Sequence, residues 1–168
     1  KQPGNNKITI KSNDGLYAHI KSQSRGSDID NNLNYNALTK DTNESGVYST
    51  TKTNNNLEVY FYRGKVDNNN ILFGGFCWKI VRTTERYGVK LIYNGIPNNG
   101  NCNATGSQTT IGESVWNEVV NDNAYVGYMT GKINTYNYLE AQGNIGDSKI
   151  KTVIDSWYEE NLKGTEAE

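Results

Sequence analysis

The sequence predicts an α+β domain. It comprises an antiparallel sheet around a three-stranded meander at about residues 57–93, a C-terminal amphipathic helix at about residues 148–163, and long Asn/Gly-rich loops. Three observations lead there. Apolar and aromatic residues concentrate in one stretch, Asn70-Ile-Leu-Phe-Gly-Gly-Phe-Cys-Trp-Lys-Ile-Val-Arg-Thr-Thr84, with β-prone runs on either side. Ile150, Val153, Ile154 and Trp157 recur at helical spacing between a Ser/Asp start signal and Gly164. Asn makes up about one residue in seven, and Asn, Gly and Ser favour turns.

Taken in order, Lys1–Asn6 read as a linker and residues 7–168 as one domain, with truncation at its C-terminus as an expectation. Lys7–Lys11 alternates polar and apolar and reads as a short strand. Leu16–Ser22 reads as one or two helical turns, with Asp14 as a cap. Residues 25–42 are polar and read as loop, anchored by Ile29, Leu33, Tyr35 and Leu38. Val47-Tyr48 begins the β-rich block, and Leu57–Arg63 is its first meander strand. Asp67-Asn68-Asn69 marks a turn. Asn70–Thr84 then reads as one long strand, with a bulge or close backbone approach at Gly74-Gly75. Alternation puts Phe76, Trp78 and Ile80 on one face and Cys77, Lys79 and Val81 on the other. Glu85–Gly88 turns the chain into the third strand, Val89–Tyr93. Asn94–Gly106 is loop, Ser114–Val120 a short helix, and Tyr125–Met129 a strand before the final helix.

Composition excludes several classes of function. A net charge of −1 with scattered Lys and Arg argues against nucleic acid, which calls for a basic face. No run approaches a membrane span and no signal peptide is present, so membrane attachment would require an anchor absent from this chain. The two cysteines, Cys77 in the apolar strand and Cys102 in an irregular loop, are either joined or two unrelated thiols. A disulfide is favoured because closing a loop of that length stabilises by about 3 kcal/mol, and the loop is otherwise weakly held.

Several motifs carry a resemblance. Tyr60-Phe-Tyr-Arg-Gly64, Phe73-Gly-Gly-Phe-Cys-Trp-Lys-Ile-Val-Arg-Thr-Thr-Glu85 and Val89-Lys-Leu-Ile-Tyr-Asn-Gly95 come first. Asn101-Cys-Asn-Ala-Thr-Gly106, Ile111-Gly112, Tyr125-Val-Gly-Tyr-Met129 and Ser148-Lys-Ile-Lys-Thr-Val-Ile-Asp-Ser-Trp-Tyr158 follow in order. Together these resemble the N-terminal portion of a domain of unknown function found in surface and secreted proteins of Gram-positive gut bacteria. The resemblance implies a location outside the cell, at the cell surface or secreted, which agrees with a disulfide. It also implies a further Cys-containing segment after the final helix.

Catalytic constellations are sparse. The single histidine, His19, lies beside Leu16, Tyr17 and Ile20 and has no nucleophile motif near it. Glu113 with Glu118, and Asp155 with Glu159, are carboxylate pairs that suit a hydrolase or, more simply, solvated helix faces. Asp28-Ile-Asp30-Asn31-Asn32 begins like a calcium loop but has Leu33 and Thr39 where Gly and Glu belong, so no metal or other cofactor is expected. Aromatic rings with polar tips beside Asn-rich loops suit stacking and adaptable hydrogen bonds. The predicted function is an extracellular binding or adhesion module without catalysis, taking a host or bacterial surface glycan or protein. Trp116, Tyr125, Tyr128, Tyr136 and Tyr138 are its candidate ligand-binding residues. The alternative is a structural stalk or pilus-like fibre subunit, and a carboxylate-pair hydrolase is a lesser one.

Overall fold

The structure is a computed structural model and describes residues 15–36, 43–116, 127–132 and 135–165. The linker 1–6, the strand expected at 7–11, the Asp14 cap, Leu38, Thr39, Glu118 and Tyr125 lie outside the described residues. The chain forms two compact units, dividing after Thr110.

The first unit runs α1 (Leu16–Ser22), β1 (Ser24–Ser27), β2 (Gly46–Thr50), β3 (Val59–Arg63), β4 (Asn70–Phe73), β5 (Phe76–Thr83) and β6 (Val89–Tyr93), then a 3₁₀ turn at Gly106–Thr109. These strands make one sheet in the order β1-β2-β3-β5-β4, with β6 also paired to β5. The strand β5 organises it. Along one edge it pairs with β6 from Trp78 to Thr83. Its other edge is shared: β4 takes Phe76–Lys79 and β3 meets it at Arg82. The α+β class and the antiparallel meander are therefore as the sequence predicts.

Two details differ. Asn70–Thr84 is a hairpin, β4 turning into β5, and not one bulged strand. Gly74 and Gly75 take φ of 58° and 82°. Two consecutive positive φ values make the tight turn whose twist matches paired strands, and glycine alone enters both positions without steric cost. The second difference is β1, which lies in the segment read as loop and runs parallel to β2, so the sheet is mixed. Ser24-Arg-Gly-Ser27 has no apolar alternation to reveal it, and its pairing rests on backbone groups at a sheet edge.

The core sits on one sheet face. Ile20, Val47, Tyr60 and Ile80 are buried together, with Leu16, Tyr17, Tyr62, Ile71, Val89 and Leu91 packed around them. Thus α1 lays its apolar side on this face, and burying Ile20 alone contributes about 2–3 kcal/mol. The opposite face carries the alternate residues Tyr48, Thr50, Val59 and Phe61, since Tyr48 pairs with Phe61 and Thr50 with Val59.

A bulge switches one strand between these faces. Ile80 pairs with Leu91, but the next pairing joins Arg82 to Lys90, so Val81 is an extra residue on β5. Cross-strand partners share a face. Ile80 therefore points with Leu91 into the core, while Arg82 points with Phe61 to the opposite face.

The second unit contains β7 (Met129–Thr130), α2 (Tyr138–Ala141), β8 (Gly146–Asp147) and α3 (Lys149–Asn161). The expected C-terminal helix is present. The Ser148 hydroxyl accepts the Lys151 N–H at 3.1 Å, a cap worth about 1 kcal/mol. Ile150, Val153, Ile154 and Trp157 form a half-buried stripe, and Gly164 follows the helix at φ 73°. β7 pairs antiparallel with β8. Ser114–Trp116, expected to open a helix, are not helical, and the remainder of that segment lies outside the described residues.

Candidate functional site

Two cavities in the first unit gather the side chains best placed for ligand contact. One, of about 400 Å³, lies beside the disulfide and is lined by Tyr93, Ile96, Asn98, Asn103, Gln108 and Thr110, among others. Its construction can be followed along the chain. After β6, Asn94 donates through Nδ2 to Asn70 Oδ1 at 3.0 Å in a buried pair, and its backbone continues the pairing with Cys77. Gly95 follows at φ 94°, where a Cβ would meet Gln108 O at 2.6 Å and Ala104 Cβ at 2.7 Å. The loop bearing Ala104 and Gln108 therefore rests directly on this glycine, and no larger residue fits.

Two further ties hold that loop. Cys77 and Cys102 form the expected disulfide, with their Cα atoms 5.6 Å apart. Asn98 and Asn101 exchange backbone hydrogen bonds at 3.0 and 2.9 Å across a tight turn, whose Asn99 and Gly100 both have positive φ. The floor is Tyr93, whose ring lies edge-on to Trp78 at 5.7 Å and tilted against Phe76 at 5.8 Å. The side-chain amides of Asn98, Asn103 and Gln108 have no hydrogen-bond partner among the described residues. Among the described residues no carboxylate, imidazole or amine lines this cavity. Its chemistry is that of hydrogen bonding and ring stacking.

The other cavity, of about 410 Å³, opens on the sheet face opposite α1. Phe61 and Val59 line it together with Tyr35, Lys52, Arg82 and Glu85. Tyr35 and Lys52 converge on Asp28, which is buried just after β1. The Tyr35 hydroxyl donates to Asp28 Oδ2 at 2.9 Å and Lys52 Nζ lies 3.2 Å from the same oxygen. Burial pushes the Asp28 pKa up. Hydrogen bonds from Tyr35, Lys52 and Thr50, with the charge of Lys52, outweigh that and hold it below the ordinary carboxylate range. The Tyr35 hydroxyl is pushed up to about 12, by desolvation and then by its bond to Asp28. Glu85 is held low by its own backbone N–H and by Arg82.

The described residues among those singled out from the sequence sit elsewhere, in the second unit. Trp116 is 54 % exposed and donates through Nε1 to Gly127 O at 2.8 Å. Tyr128 is exposed, its hydroxyl 3.4 Å from Asp155 Oδ1 and its ring 6.0 Å from Lys151 Nζ. Tyr136 and Tyr138 are exposed around the start of α2. Neither cavity includes any of them.

Of the catalytic candidates, His19, Asp155 and Glu159 are engaged in local contacts. His19 Nε2 accepts from Gln23 Nε2 at 2.7 Å. Asp155 accepts from Lys151 within α3, and Glu159 accepts from Lys163 just past its end, both i,i+4 pairs. Among the described residues no three His, Cys, Asp or Glu side chains converge as metal ligands would, and no helix is long and apolar enough to cross a membrane.

Sequence reasoning missed both cavities. Tyr35, Lys52, Arg82 and Glu85 are far apart in the chain, and only the fold assembles them. The amide cavity did leave a signal: Asn98-Asn-Gly-Asn101, a tight-turn sequence immediately before Cys102. Comparison of the chain with protein-family profiles, curated proteins and solved structures returns no match.

Proposed function

We propose that the chain is an extracellular, surface-exposed binding module without catalysis, and that the amide-lined cavity beside Cys77–Cys102 takes a neutral glycan. The observation that carries this reading is the cavity's chemistry. Three amide side chains with no hydrogen-bond partner among the described residues stand around a tyrosine ring, with no carboxylate, imidazole or amine among the described lining residues. Amides offer donors and acceptors together, which suits sugar hydroxyls, and an aromatic face suits their C–H surface. Tyr93 is the one titratable group among the described lining residues, and no described carboxylate, imidazole or amine lines the cavity beside it to exchange a proton.

The disulfide supports an oxidising compartment, as does the resemblance to domains of bacterial surface proteins. The exposed rings of Trp116, Tyr128, Tyr136 and Tyr138 offer further stacking faces to the same class of ligand.

A neutral-glycan array tests the proposal. Binding is expected, and Asn103→Ala with Gln108→Ala should weaken it about tenfold by removing hydrogen bonds, with the melting curve unchanged. Binding that survives both substitutions, or no neutral glycan bound at all, overturns it.

A further inference from the structure

The charged cavity differs from the amide cavity in kind, and its construction points to a ligand of its own. The bulge at Val81 turns Arg82 away from the core and sets it beside Phe61. Bulges re-aim side chains in this way beside functional sites. Lys52 enters from the β2–β3 connection. Its side chain is 64 % exposed, whereas that of its counter-ion Asp28 is 1 % exposed. The anion is thus closed to solvent, while Lys52 lines the cavity with most of its side chain exposed.

Among the described residues Arg82 donates only through Nη1, at 3.2 Å to Thr83 O and 3.4 Å to Glu85 Oε1. A guanidinium carries five donors. Its Nε and Nη2 therefore have no hydrogen-bond partner among the described residues. Two cations with spare donors, in one cavity walled by an aromatic ring, suit a carboxylate on a compact body.

We infer that this cavity binds the carboxylate of an acidic sugar, with Lys52 and Arg82 holding the anion and Phe61 beneath the ring. Glu85 limits the charge to one, since a second negative group in the cavity would meet its carboxylate. Thr50 and Asn54 line the same space and match sugar hydroxyls. A peptide C-terminus is the competing carboxylate. Such termini are captured by backbone N–H nests, whereas the cationic groups here are side chains. The inference rests on the glycan reading for the body of the ligand and not for its charge.

The test is a titration of the 168-residue chain, followed by amide NMR. The probes are methyl glucuronide, the uncharged methyl glucoside, and an acetylated peptide with a free C-terminus. Methyl glucuronide should shift the resonances of Lys52, Phe61 and Arg82, and the other two probes should not. Arg82→Gln should weaken that binding about tenfold, the loss expected for one charge-assisted hydrogen bond. Glu85→Gln removes the opposing charge and should strengthen it, so the direction is readable even if the first variant folds poorly.

Equal shifts from the glucoside, shifts from the peptide alone, silence from all three probes, or an affinity indifferent to both substitutions would each overturn the inference. Gln108→Ala should leave methyl glucuronide binding intact. Neutral-glycan binding at the amide cavity would survive failure here, so the two proposals fail separately.

Discussion

The sheet unit and the C-terminal unit place their apolar residues differently. In the first, Ile20, Val47, Tyr60 and Ile80 are almost wholly withdrawn from water, and loops are tied down over the sheet. In the second, no residue of α3 is fully buried, and Leu162 just past its end is the only buried large hydrophobic among the described residues. The second unit displays its rings, and both cavities described above belong to the first. Aromatic density alone therefore does not make a cavity. A concave site needs a rigid floor and a loop fastened above it.

The sharpest way to break this contrast is to delete apolar volume in each unit. Ile80→Ala should cost about 3 kcal/mol, because the hole opens in a packed core. Val153→Ala on the half-buried stripe of α3 should cost about 1 kcal/mol. Urea unfolding of both variants checks it, and equal losses would erase the distinction.

Next comes the sulfur tie. Cys102→Ser should cost about 3 kcal/mol by releasing the loop constraint, and it should weaken neutral-glycan binding through the displaced Asn103. Urea unfolding and the glycan array read the two effects. Persistence of binding in the reduced protein would show that Gly95 and the Asn98–Asn101 turn hold the loop unaided.

The smallest effect concerns Asp28. Its pKa is lowered in the folded protein, so its contribution is present at neutral pH and lost as pH falls through that lowered value. Asp28→Asn should cost about 1–2 kcal/mol at pH 7, and the gap to the parent protein should close in acid. Stability measured from pH 7 downward tests the sign. A gap that widens in acid would mean that Asp28 is not held ionised by Lys52 and Tyr35.

Much of the fold was legible because its signals are local. β3 and β6 show β-branched and aromatic runs, and α3 shows a serine cap with apolar residues at helical spacing. The Gly74-Gly75 pair was visible too, but a bulge and a hairpin both use glycine there, and only the pairing of Phe73 with Phe76 decides between them. β1 was hidden because a polar edge strand is held by backbone bonds, which leave no trace in side-chain pattern. The candidate sites were largely illegible. Arg82 reads as a core-facing position by strict alternation from Ile80, and the extra residue that redirects it has no compositional mark. The rings chosen from the sequence are conspicuous because they stand in polar surroundings, which is also why they end up at the surface.

The strand β5 is held by three neighbours. To free its backbone, the chain must peel away β6 along one edge and both β4 and β3 along the other. Small openings at a hairpin tip or at the edge strand β1 leave it untouched. Its amides should be the last to trade hydrogen for deuterium, and only global melting should expose them. The scaffold beneath both cavities is then slow to breathe, and the loops around them can rearrange without loosening it.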